Sequence, residues 1–81
     1  NNLSYNMLST KNYFLLNNGE VIMNYDEFVS ALHNMDDFTF YYHVHEKVND
    51  FSEWIEKNYD PKLASRIRDV KSKEELINLL G

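Results

Sequence analysis

The sequence predicts a small α+β domain, mostly helical, in which an N-terminal β-hairpin precedes about five short helices. Three observations predict it. An Asn18-Gly19 step separates two short runs of strand-forming residues. Five later stretches each open with an Asp, Asn or Ser suited to capping a helix, and apolar residues follow at helical spacing. Finally, 81 residues with two Gly, one Pro and no Cys describe a chain that packs one core without disulfide staples. Twelve aromatic residues supply the buried area that such a short chain needs.

Residues 1–12 are read as an N-terminal arm and 13–81 as one domain. Within the arm Leu3, Tyr5 and Met7 alternate with Asn2, Ser4 and Asn6, the period of a half-buried strand. This arm is expected to add a third strand or to fray, as termini often do. The hairpin spans 13–23, with Tyr13 to Leu16 and Val21 to Met23 flanking a tight primed turn at Asn17-Asn18-Gly19-Glu20.

Asn24, with Glu27 three residues on, heads a helix over 25–35 whose apolar face is Tyr25, Phe28, Val29, Leu32 and Met35. For the next segment, propensity and pattern disagree. Phe38 to His45 is composed like a strand. Yet Asp36 or Asp37 is placed as a cap, and Phe40, His43, Val44 and Lys47 form a helical stripe over 37–47. Asp50 and Glu53 read as a second capping box for a helix over 50–58, with Phe51, Trp54 and Ile55 inward. Asp60-Pro61 opens a helix over 61–70, where proline at the first position costs no hydrogen bond. Its buried stripe is Leu63, Ala64, Ile67 and Val70. Ser72 and Glu75 open the last, over 73–80, with Leu76, Ile77 and Leu80 inward.

The most distinctive run is His43 followed by Asn49-Asp50-Phe51 and Trp54. With the hairpin glycine Gly19 and the residues Asp37, Thr39, Phe40, Tyr42 and Val44, it resembles an uncharacterised, mainly archaeal small helical domain family, the domain of unknown function DUF5752. The resemblance covers about Phe14 to Leu80. It implies a mostly helical domain, and so favours helix over 37–46; it brings no activity with it. His45 and Tyr25 depart from the family's usual pattern.

The chemistry readable from the chain is sparse. No Ser sits in a glycine-flanked elbow, Cys is absent, and Gly19 stands alone where a phosphate-cradling loop needs several glycines. The carboxylates fall mainly at helix starts, where they meet free amides and the positive dipole end. Neither a catalytic residue nor a cofactor is therefore expected. His43, His45, Glu46 and His33 suggest a metal site only weakly, because helical residues two apart diverge and zinc needs three or four convergent ligands.

His43, Asn49, Asp50, Phe51 and Trp54 are instead expected to form a structural core motif, in which Asp50 or a backbone group across the turn partners the imidazole, Asn49 and Asp50 cap the following helix, and Phe51 and Trp54 pack beneath it. The net charge of −5 disfavours nucleic acid and anionic membrane, although Lys62 and Arg66 share a face of the 61–70 helix and offer a local phosphate contact near Tyr59. No run is long enough to span a membrane. One small core does not hide every ring, and Tyr41, with Leu3, Tyr5 and Met7 of the arm, is the expected interface. The reading is thus a non-enzymatic protein-interaction or self-assembly module, with accessory nucleic-acid binding as the alternative and a histidine metal site behind it. The lack of Cys suits a reducing cytoplasm. With Asn and not Met as its first residue, the chain is expected to be a fragment, a processed product or the ordered part of something longer.

Overall fold

The computed structural model describes residues 8–81. After a 3-10 turn at Thr10–Asn12 come strands β1 (Phe14–Leu15) and β2 (Val21–Ile22), then helices α1 (Tyr25–Asn34) and α2 (Asp37–His43). A second hairpin follows, β3 (Val44–His45) with β4 (Val48–Asn49). Helices α3 (Asp50–Asn58), α4 (Pro61–Ile67) and α5 (Lys73–Leu80) complete the chain. The fold is α+β and mostly α. Both hairpins are antiparallel and two-stranded, with Phe14 opposite Ile22 and Val44 opposite Asn49. Among the described residues no third strand joins β1 and β2; Leu3, Tyr5 and Met7 lie outside the described residues. Leu8 packs against the core and the Asn12 carbonyl accepts the Trp54 indole N–H at 2.8 Å, so the body takes in the last residues of the stretch read as an arm.

The first turn differs from the two-residue primed type expected of Asn-Gly. The Gly19 amide donates to Leu16 O (2.9 Å) and the Leu16 amide to Glu20 O (2.8 Å), while only Gly19 takes positive φ, at 93°. This is a three-residue loop closed by a glycine bulge. Asn18 serves it differently, by accepting the Glu20 amide on its side-chain oxygen at 2.9 Å.

The largest departure lies at 44–49. The helix expected over 37–47 stops at His43. Val44 takes extended dihedrals, and Glu46 turns the chain at φ 49°, the one non-glycine positive φ among the described residues. That conformation costs a side-chain-bearing residue about 1–2 kcal/mol. Lys71 braces it, its ammonium donating to the Glu46 carbonyl. Strand propensity therefore wins for Val44 and His45 and helical pattern wins for the residues before them. The helix expected over 61–70 also ends early, at Ile67, because the Ile67 and Arg68 carbonyls are taken by a side chain from another element. Val70 is buried nonetheless.

Phe51 sits at the centre of the core, its ring 5.2 Å from Phe14 and from Phe28, 5.4 Å from His43 and 6.1 Å from Phe40. Trp54 extends the cluster to Phe14, Phe28 and Tyr59. Leu16, Ile22, Leu32, Ile55, Ala64, Ile67 and Leu76 fill the spaces between helices. Replacing Trp54 by Ala removes a ring touching three others together with its hydrogen bond to Asn12. The expected loss in a denaturant melt is about 3–5 kcal/mol.

Four helices start at the caps Asn24, Asp36, Asp60 and Ser72, each of which accepts a first-turn amide at 2.8–3.1 Å. The Thr39 amide, then the Thr39 hydroxyl, hold the Asp36 carboxyl below the usual carboxylate range; slight desolvation opposes them and nearby Lys73 reinforces them. A carboxyl that binds its proton less readily when folded adds stability above the ordinary carboxylate range and loses it as pH falls through the lowered value. The destabilisation of Asp36→Ala is therefore expected to be largest near neutral pH and to shrink below about pH 4, read as a narrowing gap between the two melting temperatures.

Candidate functional site

The residues singled out from sequence do converge, at the junction of α2, the second hairpin and α3. His43 is 5% exposed at the last position of α2. Its Nε2 accepts the Asn17 backbone amide from the first hairpin loop at 3.0 Å, and its Nδ1 lies 2.9 Å from the Asp50 carboxylate at the start of α3. A backbone N–H only donates, so Nε2 holds a lone pair; the proton sits on Nδ1 and is donated to Asp50. Phe14, Tyr42 and Phe51 enclose the ring. Both nitrogens are thus engaged in joining three elements, which leaves no free atom for proton transfer or metal binding.

Of Asn49 and Asp50, both expected at the start of this helix, Asn49 is the cap of α3. Its Oδ1 accepts the Ser52 amide at 2.9 Å, while its Nδ2 donates to the Ile67 and Arg68 carbonyls at 2.9 and 3.2 Å. One buried amide so finishes the start of α3 and the end of α4. A carboxylate only accepts, and this is why Asn occupies the position while Asp50 is released to face His43. The Ser52 hydroxyl adds a bond to the Ala64 carbonyl at 2.9 Å, and Phe51 and Trp54 pack beneath. Ser52 was missed from sequence; its signal was a small polar residue between two inward-facing aromatics.

The other candidates do not assemble. His33 and His45 are exposed on separate elements, and the His45 Nδ1 donates to the Tyr41 carbonyl at 2.8 Å. Among the described residues no three His, Asp or Glu side chains group as metal ligands. Lys62 and Arg66 are exposed on α4, but Tyr59 is turned into the rings of Tyr25 and Trp54 and gives them no stacking surface. Lys71 and Lys73 are committed to the carbonyls of Glu46 and Met35, and Arg68 pairs with Glu56 at 3.5 Å. No described helix is long and apolar enough to cross a membrane.

Two surface features remain. A groove between β2 and α1 is lined by Val21, Met23, Glu27 and Ala31 among others. There Glu27 already accepts the Met23 amide at 2.8 Å, which occupies a donor an added strand would use. The second is the outer face of α2. Phe38, Tyr41 and Tyr42 are 74%, 46% and 55% exposed and, with Asp37, line a shallow apolar depression. Phe40 meets Tyr41 edge-on at 5.1 Å and His43 meets Tyr42 at 5.0 Å, so inner rings brace two of the outer ones. Sequence reading found Tyr41 but not Phe38, although the inward stripe of Phe40, His43 and Val44 turns Phe38 outward by helical phase alone.

A small, mostly helical domain whose distinctive polar residues tie its elements together, and whose rings break surface on one short helix, is thus defined. The chain belongs to a family of unknown function, DUF5752, whose model matches residues 7–78. Neither the curated proteins nor the solved structures compared with it gave a match.

The Asn49 geometry gives a sharp test. Asn49→Asp keeps an equally good helix cap but sets a carboxylate against two carbonyls and removes both donors. Equilibrium unfolding is expected to show a loss of about 2–4 kcal/mol, which a role confined to capping does not produce.

Proposed function

We propose that this domain is a non-enzymatic protein-interaction module that docks through the outer face of α2, and that His43, Asn49, Asp50, Phe51 and Trp54 serve to hold that face in place. The observation that carries the reading is the exposure of Phe38, Tyr41 and Tyr42 together on one helix. Single exposed apolar residues are ordinary, but three adjacent rings on a short helix are the composition of an interface core. Bracing from Phe40 and His43 supports it, because rings held before binding lose little freedom on contact.

The test is a quantitative pull-down from native lysate with the wild type, a Phe38→Gln/Tyr42→Gln double variant, and Leu15→Ser at the exposed hairpin as control. Both sites are more than half exposed and Tyr42 meets only the edge of His43, so a small fall in melting temperature is expected, with the fold retained. A specific partner is expected on the wild type and the control and to be lost from the double variant. Equal recovery on all three removes the reading.

A further inference from the structure

The α2 face carries a charge as well as rings. Asp37, at the first helical position, is exposed and lines the same depression as Phe38, Tyr41 and Tyr42. Among the described residues no cation lies within ion-pair distance of it. Its neighbour Asp36 is spent on the Thr39 amide and feels Lys73, whose ammonium is held on the Met35 carbonyl. Asp37 is thus a carboxylate with no cation paired to it, at the rim of an aromatic surface and at the N-terminal end of α2. Carboxylate and ring faces attract the same kind of group, a cation on an apolar stem.

Resting on the interaction reading above, we infer that the occupant of this face is a short protein segment bearing a Lys or Arg beside apolar residues, the cation meeting Asp37 and the tyrosine faces and the apolar side chains covering Phe38. Charge selects against the other occupants. A second copy docked through the same depression would supply another Asp37 and no cation, between chains that each carry −5. Nucleic acid and anionic lipid would set phosphate against the same carboxylate. Size points the same way. Three rings exposing at most roughly 250 Å² apiece, and here only partly exposed, fall well short of the ~800 Å² per partner of a stable globular interface. They suit a peptide.

The experiment is panning of a phage-displayed random linear peptide library against the whole 81-residue chain, followed by calorimetric titration of a synthetic peptide of the enriched sequence. Enrichment of Lys or Arg flanked by Leu, Ile, Met or aromatic residues is expected. Binding should weaken about fivefold or more in Asp37→Asn and about tenfold or more in Phe38→Gln/Tyr42→Gln, and should weaken with added salt. Peptides without a basic residue, no enrichment at all, or indifference to Asp37→Asn overturn the inference. If such peptides still depend on Phe38 and Tyr42, the interaction reading survives it; if they bind the double variant equally, both fall. Sedimentation showing a concentration-dependent dimer that the double variant abolishes also overturns it, by making a second copy the occupant.

Discussion

An imidazole fixed between a backbone amide and a carboxylate is the constraint on which the rest of this structure depends. The Asn17 amide lies in the loop of the first hairpin, where a three-residue turn leaves it without a ladder partner. Burying such a donor unpaired costs roughly 1–3 kcal/mol. The His43 Nε2 satisfies it from 26 residues away, and the Nδ1 proton reaches Asp50 at the head of α3. Two-stranded hairpins are marginal alone. Here the first is tied by hydrogen bond to the helical body, and Phe14 from its opening strand packs among His43, Phe51 and Trp54, edge-on to His43 and Trp54. Polar attachment and aromatic packing thus act on the same strand.

Asn49 does for the second half of the chain what His43 does for the first. It lies at the end of β4, so its position relies on the hairpin that Glu46 turns and Lys71 braces. Its donors reach the end of α4, and Ser52 joins the same pair of helices from one turn further on. Helices α3 and α4 accordingly form the most extensive contact in the molecule. A chain with no disulfide and a small core gains rigidity where a single side chain finishes two elements at once, because each buried donor and acceptor already had to be satisfied.

Local signals account for what was legible in the sequence. Asn24, Asp36, Asp60-Pro61 and Ser72 announced helix starts because capping is settled within four residues, and the inward stripes of α1, α3 and α5 followed from helical spacing. The misreadings come from contacts distant in sequence. Nothing within 44–49 says that a lysine near residue 70 will hold the Glu46 carbonyl, so the stripe through Val44 and Lys47 extended the helix too far. Asn49 and Asp50 are both legible as caps of α3, but nothing beside Asn49 shows that its amide will also face α4. Asn-Gly announced a turn but not its length, since a bulged glycine uses the same dipeptide. Asp50 follows as a candidate for His43 from the need of a buried imidazole for partners; the Asn17 amide that fixes the proton position has no local signature.

The outer face of α2 is not simply where leftover rings were placed. Phe38 and Thr39 are adjacent, yet the threonine is buried and the phenylalanine is the most exposed large apolar residue among those described. A one-residue slip that buried Phe38 at the place of Thr39 would set Thr39 at the place of Phe40 and turn Phe40 out, so it gains no apolar burial. Two fixed points forbid it. Asp36 accepts the Thr39 amide at one end, and at the other His43 must reach Asn17 and Asp50 together. With six residues between Asp36 and His43 the helix has no slack, so Phe40 goes in and Phe38, Tyr41 and Tyr42 stay out. The interior polar network and the exterior aromatic surface are therefore one arrangement: the bonds that hold the body together also set which rings face a partner.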